Sequence, residues 1–268
     1  MSDQVLNIDG TDIAFSRRGR GTPLVLLHGY PLDRTIWNDV AQMLLDDFDL
    51  IMPDMRGFGQ SNVMEADRSI MAYASDVAGL LERLGIRKAH VTGHSMGGYV
   101  ALAFARTFPR QITALGLVAS QPLADTEERK SARYATAEQI LTNGVGGVVD
   151  GMSPQLSPNT EVQAFVRRVI STQAPMGLAV ALDAMAGRPD STDVLRSFSA
   201  PAVIIHGSAD ALIPVERARE MRLLLPSAHY LELPGVGHMP MMENPAAVAE
   251  ALHFLGPIKR GSVTILNR

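Results

Sequence analysis

A β-branched stretch, Ala89-His90-Val91-Thr92, runs into Gly93-His94-Ser95-Met96-Gly97, and an apolar helical pattern from Tyr99 to Phe108 leaves it. Few features restrict a fold more than a strand that must become a helix within one pentapeptide. Glycines flanking Ser95 suit a serine held at the apex of a strained turn, where a side chain on either side would crowd the backbone. Such a turn lifts the hydroxyl clear of a sheet and points the first amides of the next helix at any negative charge that develops there. Strand, tight turn and helix together have the form of a nucleophile elbow.

The rest of the chain alternates around this element. Val5–Ile8 and Asp12–Phe15 read as a hairpin about Asp9-Gly10. Arg17–Thr22 reads as a charged turn, and Pro23–Leu27 and Phe48–Met52 as strands buried on both faces. Between them Ile36, Val40, Met43 and Leu44 have the spacing of one buried helix face. Ser69 is placed to cap a helix that runs to Leu84 and closes at Gly85. Ile112–Ala119 is a sixth strand, so the pattern predicts a mostly parallel central sheet flanked by helices. From Gln121 to about Ser199 only helical patterns occur, read as helices over 124–142, 160–172 and 176–187. This predicts an all-helical lid inserted after the sixth strand (121–199) into a core of 1–120 and 200–268. Alternation resumes with strand Ala202–His206, helix Val215–Leu225, strand His229–Leu233 and helix Ala246–Leu255. A strand-like run, Ser262–Leu266, has no evident role.

Composition excludes more than it assigns. A net charge of −4 gives no electrostatic case for nucleic acid or anionic membranes. No apolar run is long enough to span a bilayer, and the polar start MSDQVLNIDG lacks the apolar stretch of a signal peptide. A cytoplasmic location is the simplest expectation. Zero cysteines rule out disulfides, thiol catalysis and thiolate metal sites. His90 and His94 straddle a strand and a turn, and Asp47-Phe48-Asp49 starts a strand, so no metal site is expected. Gly144-Val145-Gly146 lacks the third glycine of a dinucleotide loop and does not follow a strand. No cofactor is expected.

A serine hydroxyl is a poor nucleophile until a base takes its proton, and that base works best when a carboxylate fixes its tautomer. Strand Ala202–His206 leads into Gly207-Ser208-Ala209-Asp210, and strand His229–Leu233 into Pro234-Gly235-Val236-Gly237-His238. Both partners therefore stand just past strand ends, in the order Ser95, Asp210, His238. With His28-Gly29-Tyr30-Pro31, Asp54-Met55-Arg56-Gly57-Phe58-Gly59-Gln60-Ser61 and the extended elbow ending at Gly98, the chain resembles the α/β-hydrolase superfamily over about 5–120 and 195–256. That resemblance implies the α/β-hydrolase fold, Ser95 as nucleophile, His238 as general base then acid, and Asp210 as its orienter. It also implies an oxyanion hole from the backbone N–H groups of Tyr30 and Met96. Ser120 and Gln121 follow the sixth strand, where some members carry the acid; Asp125 is a distant second to Asp210. His94, His28, Asp54 and Arg56 are read as structural, as are His90, His206, His229 and His253.

Serine in place of aspartate at the elbow argues against the superfamily's haloalkane dehalogenases and epoxide hydrolases. The chain is most similar to its serine esterases, lactonases and perhydrolases. The expected reaction is hydrolysis of an ester or lactone of a small, largely apolar molecule through an acyl-enzyme. Alternatives are an enol-lactonase or carbon–carbon bond hydrolase of aromatic catabolism, a cofactor-free perhydrolase, or a receptor that keeps the triad. Carbon–carbon hydrolases use positive charge on the substrate carboxylate, for which Arg188 or Arg133 are candidates, although both are read as solvent-facing. Met96, Met152, Met176, Met185, Met239, Met241 and Met242 lie near the expected pocket, with core packing their default role.

Overall fold

The computed structural model describes residues 4–62 and 67–257, so the run Ser262–Leu266 lies outside the described residues. Eight strands form one sheet: β1 (Gln4–Ile8), β2 (Thr11–Gly19), β3 (Thr22–Leu27), β4 (Phe48–Pro53), β5 (Ala89–His94), β6 (Ile112–Val118), β7 (Ala202–Gly207) and β8 (His229–Leu233). Their order is β1-β2-β4-β3-β5-β6-β7-β8. β2 pairs antiparallel with β1 and β4, and all other neighbours are parallel. Every residue of β5 and β7 is buried, which demands cover on both faces.

That cover comes from helices between the strands. On one side α1 (Asn38–Leu44) packs with α10 (Pro240–Glu243) and α11 (Pro245–His253). A second group joins α2 (Ile70–Arg83), α3 (Met96–Thr107), α8 (Thr192–Ser197) and α9 (Glu216–Leu224). α2 starts where Ser69 accepts from the Ala72 N–H and stops before Gly85, whose φ of +71° suits glycine. Between β6 and β7 stand α4 (Glu127–Asn143), α5 (Gly146–Leu156), α6 (Thr160–Ser171), α7 (Pro175–Ala186) and then α8. No single helix is long and apolar enough to cross a membrane among the described residues, and α6 and α7 meet at a bend of 105°.

Three local expectations differ from the structure. Residues Arg17–Gly19 continue β2 instead of turning, because they pair with Ile51–Asp49 and Arg17 forms a salt bridge with Asp49. Met43 is 49% exposed, because the first turn after Arg34 is a 3₁₀ turn, which shifts the apolar face to Ile36, Trp37, Val40, Ala41 and Leu44. The three helices expected in the insertion leave out a fourth between the first two, α5 (Gly146–Leu156), which begins with two glycines and has Pro154 inside it. Burial of Val148, Val149 and Leu156, with α5 packed on α6, outweighs the poor helix propensity of glycine and proline.

Candidate active site

Ser95 sits at the end of β5 with φ 51° and ψ −116°, a conformation that costs a non-glycine residue on the order of 1–3 kcal/mol. The surroundings enforce it. A Cβ on Gly93 would overlap the Gly97 carbonyl, and one on Gly97 would lie 2.6 Å from the carbonyl oxygens of Leu27 and His28. The Ser95 N–H donates to the Val118 carbonyl at 2.9 Å, and Ser120 Oγ donates to the Ser95 carbonyl at 2.9 Å. The serine backbone is thus tied to the neighbouring strand while its side chain caps nothing.

Two backbone amides border it. Met96 opens α3, so its N–H has no carbonyl one turn earlier in the helix to bond. The loop after β3 brings Gly29 so close that a Cβ there would lie 3.0 Å from Ser95 Cβ, which sets the next amide, that of Tyr30, beside the serine. His28 shapes this loop: its Nδ1–H donates to Gly29 O (3.0 Å), and Nε2 accepts from the Met55 N–H (2.9 Å). Asp54 holds the neighbouring turn through Arg34 and the Gln60 N–H, and Arg56 pairs with Asp76 at 2.7 Å. All of these are internal ties within the fold.

Asp210 and His238 meet directly: His238 Nδ1 lies 2.7 Å from Asp210 Oδ2. With the Nδ1 proton donated to the carboxylate, Nε2 carries the lone pair that a base needs. Asp210 is saturated. Its Oδ1 accepts from the Leu212 and Ile213 N–H groups, both at 2.9 Å, and Oδ2 also faces His206 Nε2 at 3.2 Å. Burial alone would raise its pKa. The charge of His238 and the hydrogen bonds from His206, His238 and Ile213 outweigh burial and hold the carboxyl well below the usual range. His206 was expected to be structural; it is in addition a second donor on the same carboxylate, its Nε2–H shared with the Ile213 carbonyl at 2.8 Å.

The His238 loop is clamped from three sides. Its N–H donates to Leu156 O at the end of α5 (2.9 Å), and its carbonyl accepts from His94 Nε2 (2.8 Å). Glu243 receives the flanking Gly237 and Met239 N–H groups. Glu243 and Leu156 escaped the sequence reading because their contacts with this loop are made to main-chain groups, which carry no residue signature. Asp125, the runner-up acid, is fully committed elsewhere: it pairs with Arg188 at 2.8 Å and with Arg133. Arg188 is 5% exposed and stacks 4.1 Å from the Tyr99 ring centroid, so the expectation that it faces solvent is wrong.

A cavity of about 680 Å³ opens over Ser95, walled by Tyr30 and Tyr99 from the sheet side and by α4, α5 and α7. Of the methionines flagged from sequence, Met152 and Met185 line it. Met96, Met239 and Met241 are buried in the core instead.

A family model for the alpha/beta hydrolase fold matches residues 22–245. The chain belongs to that family. The hydrolase fold seen here also occurs in a thermophilic esterase from Thermogutta terrifontis, solved with malate bound. That structure is 36% identical with a TM-score of 0.90, covering 94% of this chain and 97% of the other. The enol-lactonase of Burkholderia xenovorans LB400 shares the fold at 23% identity and a TM-score of 0.86, over 94% and 99% of the two chains. Among sequences, the pimeloyl-[acyl-carrier protein] methyl ester esterase of Aeromonas salmonicida is 27% identical over 90% of this hydrolase and 98% of its own length. Esterases and lipases are thus among its relatives.

His94 yields a prediction of its own. Its Nε2–H is spent on the His238 carbonyl, and its buried Nδ1 has no hydrogen-bond partner among the described residues. Burial, then the charge of His238, push its pKa well below the ordinary value, so the folded state keeps it neutral. Below about pH 6.5 the unfolded chain takes up a proton here that the folded chain refuses, and stability falls as the pH drops. His94→Gln removes this term. The gap between wild-type and variant melting temperatures should therefore be largest at pH 8 and shrink toward pH 5.5. A gap independent of pH would mean that His94 is not held neutral.

Proposed function

We propose that this hydrolase cleaves carboxylic esters or lactones of small to medium-sized molecules through an acyl-enzyme on Ser95. The observation that carries the reading is the hydrogen-bonded Asp210–His238 pair on a loop tied to the elbow, with Ser95 at the floor of the cavity. In this mechanism His238 Nε2 takes the Ser95 proton as Oγ attacks the substrate carbonyl carbon. The carbonyl oxygen becomes an oxyanion facing the N–H groups of Met96 and Tyr30, each such donor being worth roughly 10²–10³ in rate. Collapse breaks the ester C–O bond, and the leaving oxygen takes the proton from His238. Water then gives its proton to His238, attacks the acyl carbon and releases the acid and free Ser95. Asp210 stays ionised throughout and steadies the imidazolium. Residues 121–199 act as the lid that roofs the pocket.

Treatment with phenylmethylsulfonyl fluoride tests this. Loss of p-nitrophenyl acetate hydrolysis should parallel one adduct, which peptide mass mapping locates on Ser95. Full activity with Ser95 sulfonylated would end the acyl-enzyme reading.

A further inference from the structure

We infer that the arginine wall of the cavity is a carboxylate subsite, and that the preferred substrate is an ester or lactone carrying a free carboxylate away from the scissile bond. This deepens the acyl-enzyme reading and rests on it. Among the described residues lining the cavity, the only charged side chains are Arg129 and Arg133, one turn apart on α4. The cavity wall carries no Asp or Glu among the described residues. Behind it lies a buried cluster in which the single carboxylate of Asp125 is divided between Arg133 and Arg188. One anion between two cations leaves one positive charge uncompensated. Arg188 gives Nη2 to Asp125 and the Leu123 carbonyl and Nη1 to the Met185 carbonyl, and it does not line the cavity. The excess is therefore expressed at Arg133.

The Arg133 guanidinium donates through Nε to Asp125 and through Nη1 toward Met185 Sδ at 3.5 Å, a weak acceptor. The rest of its fork is left for a ligand. Arg129 contributes a second cation, whose only hydrogen bond among the described residues is a long one (3.4 Å) to the Leu212 carbonyl. A planar fork with a second cation close by matches a carboxylate, and in a walled cavity the pairing is less screened than at a surface. Ile140, Val148, Met152, Leu182 and Met185 supply apolar wall for a methylene chain. The expectation of a largely apolar substrate is thereby narrowed to an apolar chain with an anionic end.

Monoethyl adipate and ethyl hexanoate carry the same ethyl ester on chains of equal length, one ending in a carboxylate and the other in a methyl group. Wild-type kcat/KM, followed by pH-stat, should favour the half-ester by about tenfold or more. The ratio should fall at least about tenfold in Arg133→Met, chiefly through KM, and less in the exposed Arg129→Met; Arg133→Lys should recover part of it. Added NaCl should also lower the wild-type ratio. Binding of monoethyl adipate to Ser95→Ala by calorimetry, lost on adding Arg133→Met, gives the same answer without turnover. A wild-type preference for ethyl hexanoate, or a ratio unchanged in both methionine variants, overturns the subsite. If p-nitrophenyl acetate is hydrolysed in a Ser95-dependent way while those results hold, only the subsite falls. If Ser95 proves dispensable, the underlying mechanism falls with it.

Discussion

Ser95→Ala is expected to lower ester turnover by about 10⁵–10⁶-fold while leaving the protein folded. The size follows from what the hydroxyl does and what would remain without it. On the proposed mechanism, without Oγ no acyl-enzyme forms, and the Asp210–His238 pair has no proton to remove. The amides of Met96 and Tyr30 would still polarise a bound carbonyl, so the residual rate should stay above that of water. The fold should be indifferent. Ser95 is anchored by its main chain, to Val118 and Ser120, and its side chain caps nothing in α3. Alanine tolerates the strained backbone no worse than serine, so stability should change by no more than about 0.5 kcal/mol. Rates for p-nitrophenyl acetate and butyrate, with a melting curve for each protein, check both halves. Turnover within tenfold of wild type, from a variant that melts normally, would remove Ser95 from the chemistry.

The elbow was legible in the sequence because sterics leave little choice: where β5 turns into α3, side chains at positions 93 and 97 would strike backbone atoms. The central strands were legible for a related reason, since a strand buried on both faces is mostly apolar, as Leu24–Leu27 of β3 and Ala202–Ile205 of β7 are. Asp210 and His238 could be found as an acid and a histidine past two strand ends, and the structure joins them in one hydrogen bond. What sequence could not give depends on how the folded chain brings its segments together. Arg188 meets Asp125 across 63 positions, and local patterning offers no reason to bury either. His206 reads as one more residue of β7; only the return of the following loop brings Asp210 onto its ring. α5 is not evident from its own residues, which include Gly146, Gly147, Gly151 and Pro154, because its helical state is stabilised by packing on α6.

Replacing Asp210 by asparagine should cost about 10⁴-fold in kcat near neutral pH, with little change in KM. The two halves of the carboxylate do different jobs. Oδ1 accepts from two backbone amides, Leu212 and Ile213, and can only be replaced by the oxygen of an asparagine. That fixes the amide orientation and puts the NH₂ where Oδ2 now faces His238 Nδ1 and His206 Nε2. A donor opposite Nδ1 forces the imidazole to accept there, moves its proton to Nε2 and leaves no lone pair toward Ser95. The fold has a second route for His206, whose Nε2–H keeps the Ile213 carbonyl, so the damage falls on the base. The substitution also has a signature in stability. Asp210 is held well below its ordinary pKa by partners that outweigh its burial, so its ionised form stabilises the fold above about pH 4. That contribution fades as the pH falls further toward its folded pKa. The melting temperature of Asp210→Asn should therefore lie below wild type at pH 7 and approach it under acid conditions. A kcat within tenfold of wild type would mean that another group orients His238, and Asp125, locked between two arginines, is not available to do so.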